Sequence, residues 1–339
     1  MRAAVFAQPG PAATVLELVE RALPLAGAGE VRVRIVLSAV NPTDTGSRAG
    51  RGVPDGVAPP RVPHQDGAGV VDALGEGVTG LEPGDRVWVW DAGHARAGGT
   101  AQKYLVLPRH QVVRMNDDVP FEVGAALGIP ALTAHRCLTL AAGGPQRLGP
   151  GALAGRTVLV AGGAGAVGNA AIQLARWAGA TVLTTESSKE RAVLATAAGA
   201  DAVIDHREAD VAARVRELSP AGPHLIVEAD TGNLDADLDV IAPGGHIAVH
   251  VAGQIAVSGT RAALKNVSLD FVLTYPTTPE QKAHAVAAVA EAANAGAFRV
   301  GAEHGLPIIR FPFDRVAEAH EAVAQHAVGK VVIEVTAPC

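Results

Sequence analysis

The chain is short of aromatic residues, of charge and of cysteine. Of its 339 residues, 3% are aromatic and 18% are charged, and the only cysteines are Cys137 and Cys339. Two cysteines build neither a disulfide framework nor a cysteine-cluster metal site, and their scarcity fits a reducing, cytoplasmic setting. Excess charge of one sign is missing too. Lys and Arg total 28 against 34 Asp and Glu, a formal net charge of -6 with no long basic run. That argues against nucleic acid and anionic membrane surfaces as partners. No uninterrupted apolar run occurs either: the most apolar long stretch, Val158 to Ala175, contains four glycines, an Asn and a Gln. It divides into a strand, a turn and a helix, so it is not read as a membrane span. The residues Met1 to Phe6 lack the apolar core of a signal peptide.

What the chain does have is length and apolar bulk. About half of it (48%) is hydrophobic, enough to bury a sizeable core, and its length suggests two domains. Up to about residue 125 the pattern is mostly β. Val31 to Val36 alternates with period two, Gly67 to Gly75 and Val87 to Trp90 read as further strands, and Pro83-Gly84-Asp85 marks a turn. Phe121 to Ala142 reads as helix, interrupted at Gly128 and Pro130. Strands then alternate with helices: Thr157–Ala161, Thr181–Thr185, Ala202–Asp205, Leu225–Glu228, His246–Val251 and Ser268–Thr274. That alternation predicts a doubly wound α/β parallel sheet covered on both faces. A helix over Glu280–Ala297, a second beginning near Phe313 with Asp314 as a possible cap, and a closing strand over Lys330–Val335 complete the reading.

The chemistry-bearing motif lies between the first two of those strands. Gly163, Gly165 and Gly168 fit G-x-G-x-x-G, in the run Gly163-Ala164-Gly165-Ala166-Val167-Gly168. Alone the pattern is weak; at a strand-to-helix junction inside a βαβ unit it is fairly strong. One glycine makes the tight turn, one lets backbone approach a diphosphate, and one allows helix to pack on strand. The helix start then offers unpaired N–H groups and a positive dipole end. The bland alternative is a Gly-rich turn with no ligand. After the second strand, Glu186 suits hydrogen bonds to ribose hydroxyls, as in NADH binding. Ser187, Ser188, Lys189 and Arg191 suit a 2′-phosphate instead. The cluster of donors favours NADPH, with Glu186 turned outward, and NADH stays possible.

Asn41-Pro42-Thr43-Asp44-Thr45, Ile129 to Ala134, Asp205 to Glu208, Val316 to His320 and Gly329-Lys330 resemble, in order, segments of the zinc-free, ζ-crystallin-like quinone oxidoreductases of the medium-chain dehydrogenase/reductase superfamily. The resemblance implies a GroES-like catalytic domain (1–125 plus 277–339) into which a Rossmann domain (126–276) is inserted, with nicotinamide and substrate in the cleft. It implies no metal. Zinc-dependent relatives have ligands where this chain has Asn41, Gln65 and Ile129, and the segment Trp90 to Gly99 has none of the cysteines of a structural zinc lobe. Without a Lewis acid, hydride must go to an already electrophilic quinone or enone.

The resemblance places Asn41, Asp44, Thr45 and Thr133 at the reacting end. Asn41 is a carbonyl donor or merely a turn residue, and Asp44 is a weaker proton-donor candidate because a loop carboxylate ordinarily stays ionised. It also points to His206 near the adenine, to Val251, Ala252, Gly253, Leu273 and Thr274 around the nicotinamide, and to Lys330 toward the phosphates. Gly46 and Thr100 stand where relatives often have Tyr, which widens the pocket. His64 either refills it as a substrate contact or is a satisfied structural histidine. The segment 268–274, too apolar for a bare sheet edge, is expected to pair with its twin in a homodimer, as relatives do. The expected function is thus NADPH-dependent reduction of a quinone or other activated alkene. The alternatives are an enoyl-thioester or enone reductase of a biosynthetic pathway and a non-enzymatic, crystallin-like or sensory NADPH-binding protein.

Overall fold

The computed structural model describes residues 1–52, 56–207 and 210–337; Glu208 and Cys339, named above, lie outside them. The chain forms two compact units, Met1–Ile129 with Ile308–Cys339, and Pro130–Pro307.

The first unit is built on a seven-stranded sheet. Its longest strand, Glu30–Ala39, pairs antiparallel with Asp66–Leu74, Tyr104–Pro108 and Lys330–Glu334. The period-two alternation read from Val31 to Val36 buries Val31, Val33 and Ile35 completely against Val71, Val87, Leu105 and Leu107. Trp88 and Trp90 are both buried. A helix, Phe121–Ala126, leads into a π-type turn, Leu127–Ala131, at the Gly128–Pro130 interruption legible in the sequence. At Val316–Ala324 the helix starts without a side-chain cap, so Asp314 does not take the capping role expected of it; a 3₁₀ turn, Phe313–Arg315, feeds the helix instead.

The second unit carries six parallel strands in the order Ala202–Asp205, Thr181–Glu186, Thr157–Ala161, Leu225–Glu228, His246–Val249, Ser268–Phe271. This is a doubly wound Rossmann sheet, with its strand order reversing between Thr157–Ala161 and Leu225–Glu228. Leu159, Leu183, Ile226 and Ile247 from adjacent strands pack with Leu234 and Leu238 from a covering helix. The last two strands end at Val249 and Phe271, short of Val251 and Thr274, so the residues expected to contact a ligand lie in the turns that follow. The unit boundaries fall after Ile129 and Pro307, not after 125 and 276. The cause is the helix Pro279–Asn294, which buries Ala285, Ala288, Val289, Ala292 and Ala293 against Leu132–Thr139 and Ala166–Trp177 of the Rossmann unit. Side-chain amides reinforce the attachment: Gln173 Nε2 donates to Arg299 O at 2.9 Å and Asn169 Nδ2 to His304 O at 3.0 Å.

Ile226 is fully buried in a central strand. Ile226→Ala is expected to lower unfolding free energy by about 2–5 kcal/mol, seen as a lower midpoint in urea. A loss under about 1 kcal/mol would show that the site collapses around the cavity.

Candidate functional site

Apart from Lys330, which opens a strand of the first unit, the sequence-predicted coenzyme residues lie at or after the carboxyl ends of Rossmann strands, where ligands bind in open α/β sheets. The strand Thr157–Ala161 turns at Gly162 with φ +68° into the helix Ala166–Trp177, whose N-terminus has no side-chain cap. A Cβ on Gly163 would lie 2.4 Å from Thr184 Oγ1, and one on Gly168 would lie 2.2 Å from Gly162 O. These two glycines are therefore demanded by packing. Gly165 is different: a Cβ there would meet only Gly162 O, at 3.3 Å, so its side faces open space. An uncapped helix start with an open backbone approach fits a diphosphate.

Glu186 corrects the sequence reading. It is 1% exposed and turns inward, accepting the Ala164 N–H at 2.5 Å on Oε1 and Arg191 Nε–H at 2.9 Å on Oε2. The cause is local: Ala164 presents an amide within the turn, and Arg191 sits one helical turn beyond the Ser188 N-cap. Arg191 is thus already paired with a carboxylate, whereas Lys189 is exposed. His206 is exposed, and its N–H donates to Glu186 O at 3.0 Å. Val251, Ala252 and Gly253 follow His246–Val249; a Cβ on Gly253 would meet Thr231 Oγ1 at 2.4 Å, so two post-strand turns touch. Leu273 is exposed and Thr274 buried. Glu228 organises the turn after its strand, accepting from Ala229 N, Asp230 N and Asn233 Nδ2. Burial, then the Glu228 charge, raises its neighbour Asp237 to about 9.

In the first unit, Asn41, Asp44 and Lys330 come together with a residue the sequence reading missed, Asp66. Asn41 N donates to Asp44 Oδ2 at 2.7 Å, and its Nδ2 donates to Asp66 Oδ2 at 2.8 Å. Asn41 Oδ1 accepts from Lys330 Nζ at 2.5 Å. Asp66 Oδ2 also accepts the Ile129 N–H at 3.0 Å and lies 4.0 Å from Lys330 Nζ. Gly128 makes this approach feasible, because a Cβ there would stand 2.0 Å from Asp66 Oδ1. All four polar side chains are 2% exposed or less. The signal that could have found Asp66 is a carboxylate opening an apolar strand, two residues ahead of Ala68.

Two expectations are overturned here. Lys330 is not directed to phosphates, because its ammonium is taken up by Asn41 and Asp66. Nor is Asp44 an ordinary ionised loop carboxylate. Burial, followed by the charge of Asp66, raises it to about 7. Burial raises Asp66 to about 6, restrained by Lys330 and by the N–H groups of Ile129 and Asn41. Burial lowers Lys330, opposed by Asp66 and Asp44. Thr45 Oγ1 donates to Pro42 O at 2.8 Å. Thr133 is buried on the helix Leu132–Thr139 of the other unit.

His64 is buried with both ring nitrogens hydrogen-bonded, the arrangement of a satisfied structural histidine. Its Nδ1 shares a hydrogen bond with Ser38 Oγ at 2.7 Å and its Nε2 one with His320 Nε2 at 2.9 Å, with the rings stacked. Ser38 also pairs with Thr100 Oγ1, which donates to Asp66 O. Burial holds His64 well below its ordinary value, with His320 and Lys330 adding to the effect, and burial lowers His320 to about 3. Cys137 is a buried free thiol, which burial pushes up to about 12. Among the described residues, no group of three His, Cys, Asp or Glu side chains could hold a metal ion.

Comparison with known proteins assigns the family. The Alcohol dehydrogenase GroES-like domain model matches residues 27–117 and the Zinc-binding dehydrogenase model residues 166–291. Quinone oxidoreductase of Homo sapiens is 30% identical over 319 residues, covering 92% of this chain and 91% of that protein. The chain belongs to the quinone oxidoreductase family of the medium-chain dehydrogenase/reductase superfamily. Trans-enoyl reductase tazE of Aspergillus terreus is 33% identical over 220 residues, 63% of this chain and 71% of that protein. A mycobacterial protein solved in complex with NADPH superposes with a TM-score of 0.79 at 30% identity, covering 98% of this chain and 99% of its own. The chain is therefore an oxidoreductase with a nucleotide-binding fold of the NAD(P) type. No helix among the described residues is long and apolar enough to cross a membrane.

The neutral histidine pair has a pH consequence. His320 is lowered in the fold, so the unfolded chain takes up protons first as the pH drops below about 6.5, and stability falls from there toward the folded value. Asp44 and Asp66, raised in the fold, act oppositely: their contribution is full below about pH 4 and is lost as the pH rises through their folded values. Comparing wild type with His320→Gln cancels the carboxylates. The stability advantage of wild type should shrink between about pH 7 and about pH 4 in denaturant titrations. A constant difference would contradict a neutral pair.

Proposed function

We propose that the chain is a metal-independent reductase that uses NADPH, or less favourably NADH, to reduce a quinone or an enone. The observation that carries this reading is the uncapped start of the helix Ala166–Trp177 behind a turn that tolerates only glycine at 163 and 168. When bound, the coenzyme supplies hydride. The amides at Ala166 to Gly168 hold its diphosphate, with Val251 to Gly253, Leu273 and Thr274 toward the nicotinamide. Asn41 Nδ2 donates to the oxygen on which charge develops. Metal independence is supported by the donor set, since Asn41, Gln65 and Ile129 stand where zinc-dependent relatives have ligands.

NADPH is favoured because Arg191 already offsets the charge of Glu186. A 2′-phosphate then meets Ser187, Lys189 and the remaining guanidinium N–H groups instead of a bare carboxylate. The enone arm is supported by the enoyl reductase relative and by Gly46 and Thr100, small residues where relatives often carry Tyr.

The Rossmann sheet ends on the strand Ser268–Phe271, whose last residue, Phe271, is 54% exposed and is followed by Leu273 at 55%. Such an edge invites pairing with a second copy of this chain, so the proposed state is a homodimer.

Two tests follow. Coenzyme oxidation, followed by absorbance with a panel of quinones and enones and with or without chelator, should be chelator-insensitive and faster with NADPH. Binding of both coenzymes without oxidation by any acceptor would contradict the enzyme reading and favour a sensory or structural one. In the same preparation, Arg191→Ala should raise the NADPH dissociation constant by on the order of 10-fold or more, about 1.4 kcal/mol, and that for NADH far less; equal effects would refute the 2′-phosphate assignment. For the assembly, Phe271→Lys should shift the protein from dimer to monomer in light scattering. A wild-type monomer would refute the edge-pairing proposal.

A further inference from the structure

Among the ionisable groups sealed in the first unit, Asp44, Asp66 and Lys330 all meet one residue, Asn41, and Asp66 and Lys330 meet its side-chain amide. Asn41 Oδ1 faces the Lys330 ammonium, and Asn41 Nδ2 faces the Asp66 carboxylate. The reverse orientation would set NH₂ against ammonium and carbonyl against carboxylate, so the flanking charges dictate which way the amide lies. The main chain of the same residue is tied as well, its N–H donating to Asp44 Oδ2. Asp66 is itself fixed from a third direction by the Ile129 N–H. This is more restraint than a turn residue before Pro42 needs, since the turn is already closed by Asp44 N and Thr45 N donating to Asn41 O.

The arrangement has an electrostatic effect. An ammonium 2.5 Å from the carbonyl oxygen of an amide draws electron density toward that oxygen and leaves the N–H groups more acidic and better donors. Nδ2 bears two hydrogens. Asp66 takes one of them; the second has only a weak side-chain hydrogen bond to Asp44, which a ligand oxygen can replace. We infer that Lys330 and Asp66 are positioning residues: they orient and polarise Asn41 so that its remaining N–H stabilises the oxyanion formed during reduction. The inference rests on the reductase reading above. In the step concerned, hydride from the reduced coenzyme adds to the electrophilic substrate, its electron pair leaves negative charge on the substrate oxygen, and a proton from water completes the product. Neither Lys330 nor Asp66 gains or loses a bond. A fixed, desolvated cation acting through one amide thus supplies part of the polarisation that a metal would give.

The experiment is a double-mutant cycle on the full-length protein, with an independent spectroscopic readout. Lys330→Met should lower kcat by on the order of 10-fold or more while leaving KM and the NADPH dissociation constant nearly unchanged. In an Asn41→Ala background the same change should cost nothing further, because the lysine acts through the amide. Additive losses, or an undiminished kcat in Lys330→Met, would overturn the inference. If Lys330→Met fails to fold, the double variant Asp66→Asn with Lys330→Met removes both buried charges and carries the same comparison.

The second readout is the side-chain ¹H–¹⁵N pair of Asn41, assigned by its loss in Asn41→Ala. In the wild type it should give two separate, slowly exchanging resonances that move in the Lys330 variant. A single averaged signal, or one indifferent to Lys330, would overturn the clamp whatever the activity. If the wild type oxidises no coenzyme with any acceptor, the reductase reading fails, and with it the assignment to an oxyanion. If the wild type turns over but the cycle is additive, only the present inference fails.

Discussion

The Rossmann unit depends on a constraint of space around one turn. Packing the helix Ala166–Trp177 against the strand Thr157–Ala161 brings Gly168 so close to Gly162 O that no Cβ fits between them. The N-cap residue, Gly165, has no side chain to cap the helix, and an uncapped helix start leaves N–H groups that only a ligand or water can satisfy. Glycine thus serves close packing at 163 and 168 and an open helix start at 165. Glu186 and Arg191 extend the logic to the next strand. The carboxylate that holds the Ala164 amide also fixes the guanidinium, so the shape of the turn and the charge of its neighbour are coupled.

The first unit answers the opposite problem, that of charge without water. Burying Asp44, Asp66 and Lys330 together is costly unless each finds partners. Asn41 reconciles them because its amide accepts from the ammonium through Oδ1 and donates to Asp66 through Nδ2, while its main-chain N–H donates to Asp44. The neighbouring Ser38, His64, Thr100 and His320 network avoids charge altogether, by keeping both rings neutral. A polar interior of this kind fixes side-chain positions more tightly than an apolar core of equal size. It contributes geometry at the expense of stability, the balance expected where a site must be preorganised.

Much of the fold was legible because periodicity and glycine placement are local signals. The strands Thr157–Ala161, Ala202–Asp205 and Leu225–Glu228 have the bounds read from the sequence, and the break at Gly128 and Pro130 marked the π-type turn. The boundary near residue 307 was not legible. The Ala-rich helix Pro279–Asn294 has a small-residue face that says it packs but not on what. Side-chain direction at the sites was less legible still. Nothing local shows that Glu186 turns in to reach Ala164, or that Lys330 is buried 289 residues from Asn41. Asp66 escaped notice because an aspartate ahead of a strand reads as solvated unless its partners, distant in sequence, are known.

The proposed coenzyme site depends on the backbone amides that open the helix Ala166–Trp177 receiving the diphosphate. Backbone ¹H–¹⁵N spectra recorded during titration with NADPH test it most directly. The amides of Gly165 to Gly168 are predicted to move together, saturably, and to exchange more slowly with solvent once loaded. Saturable coenzyme binding that leaves those four amides unmoved would contradict the account.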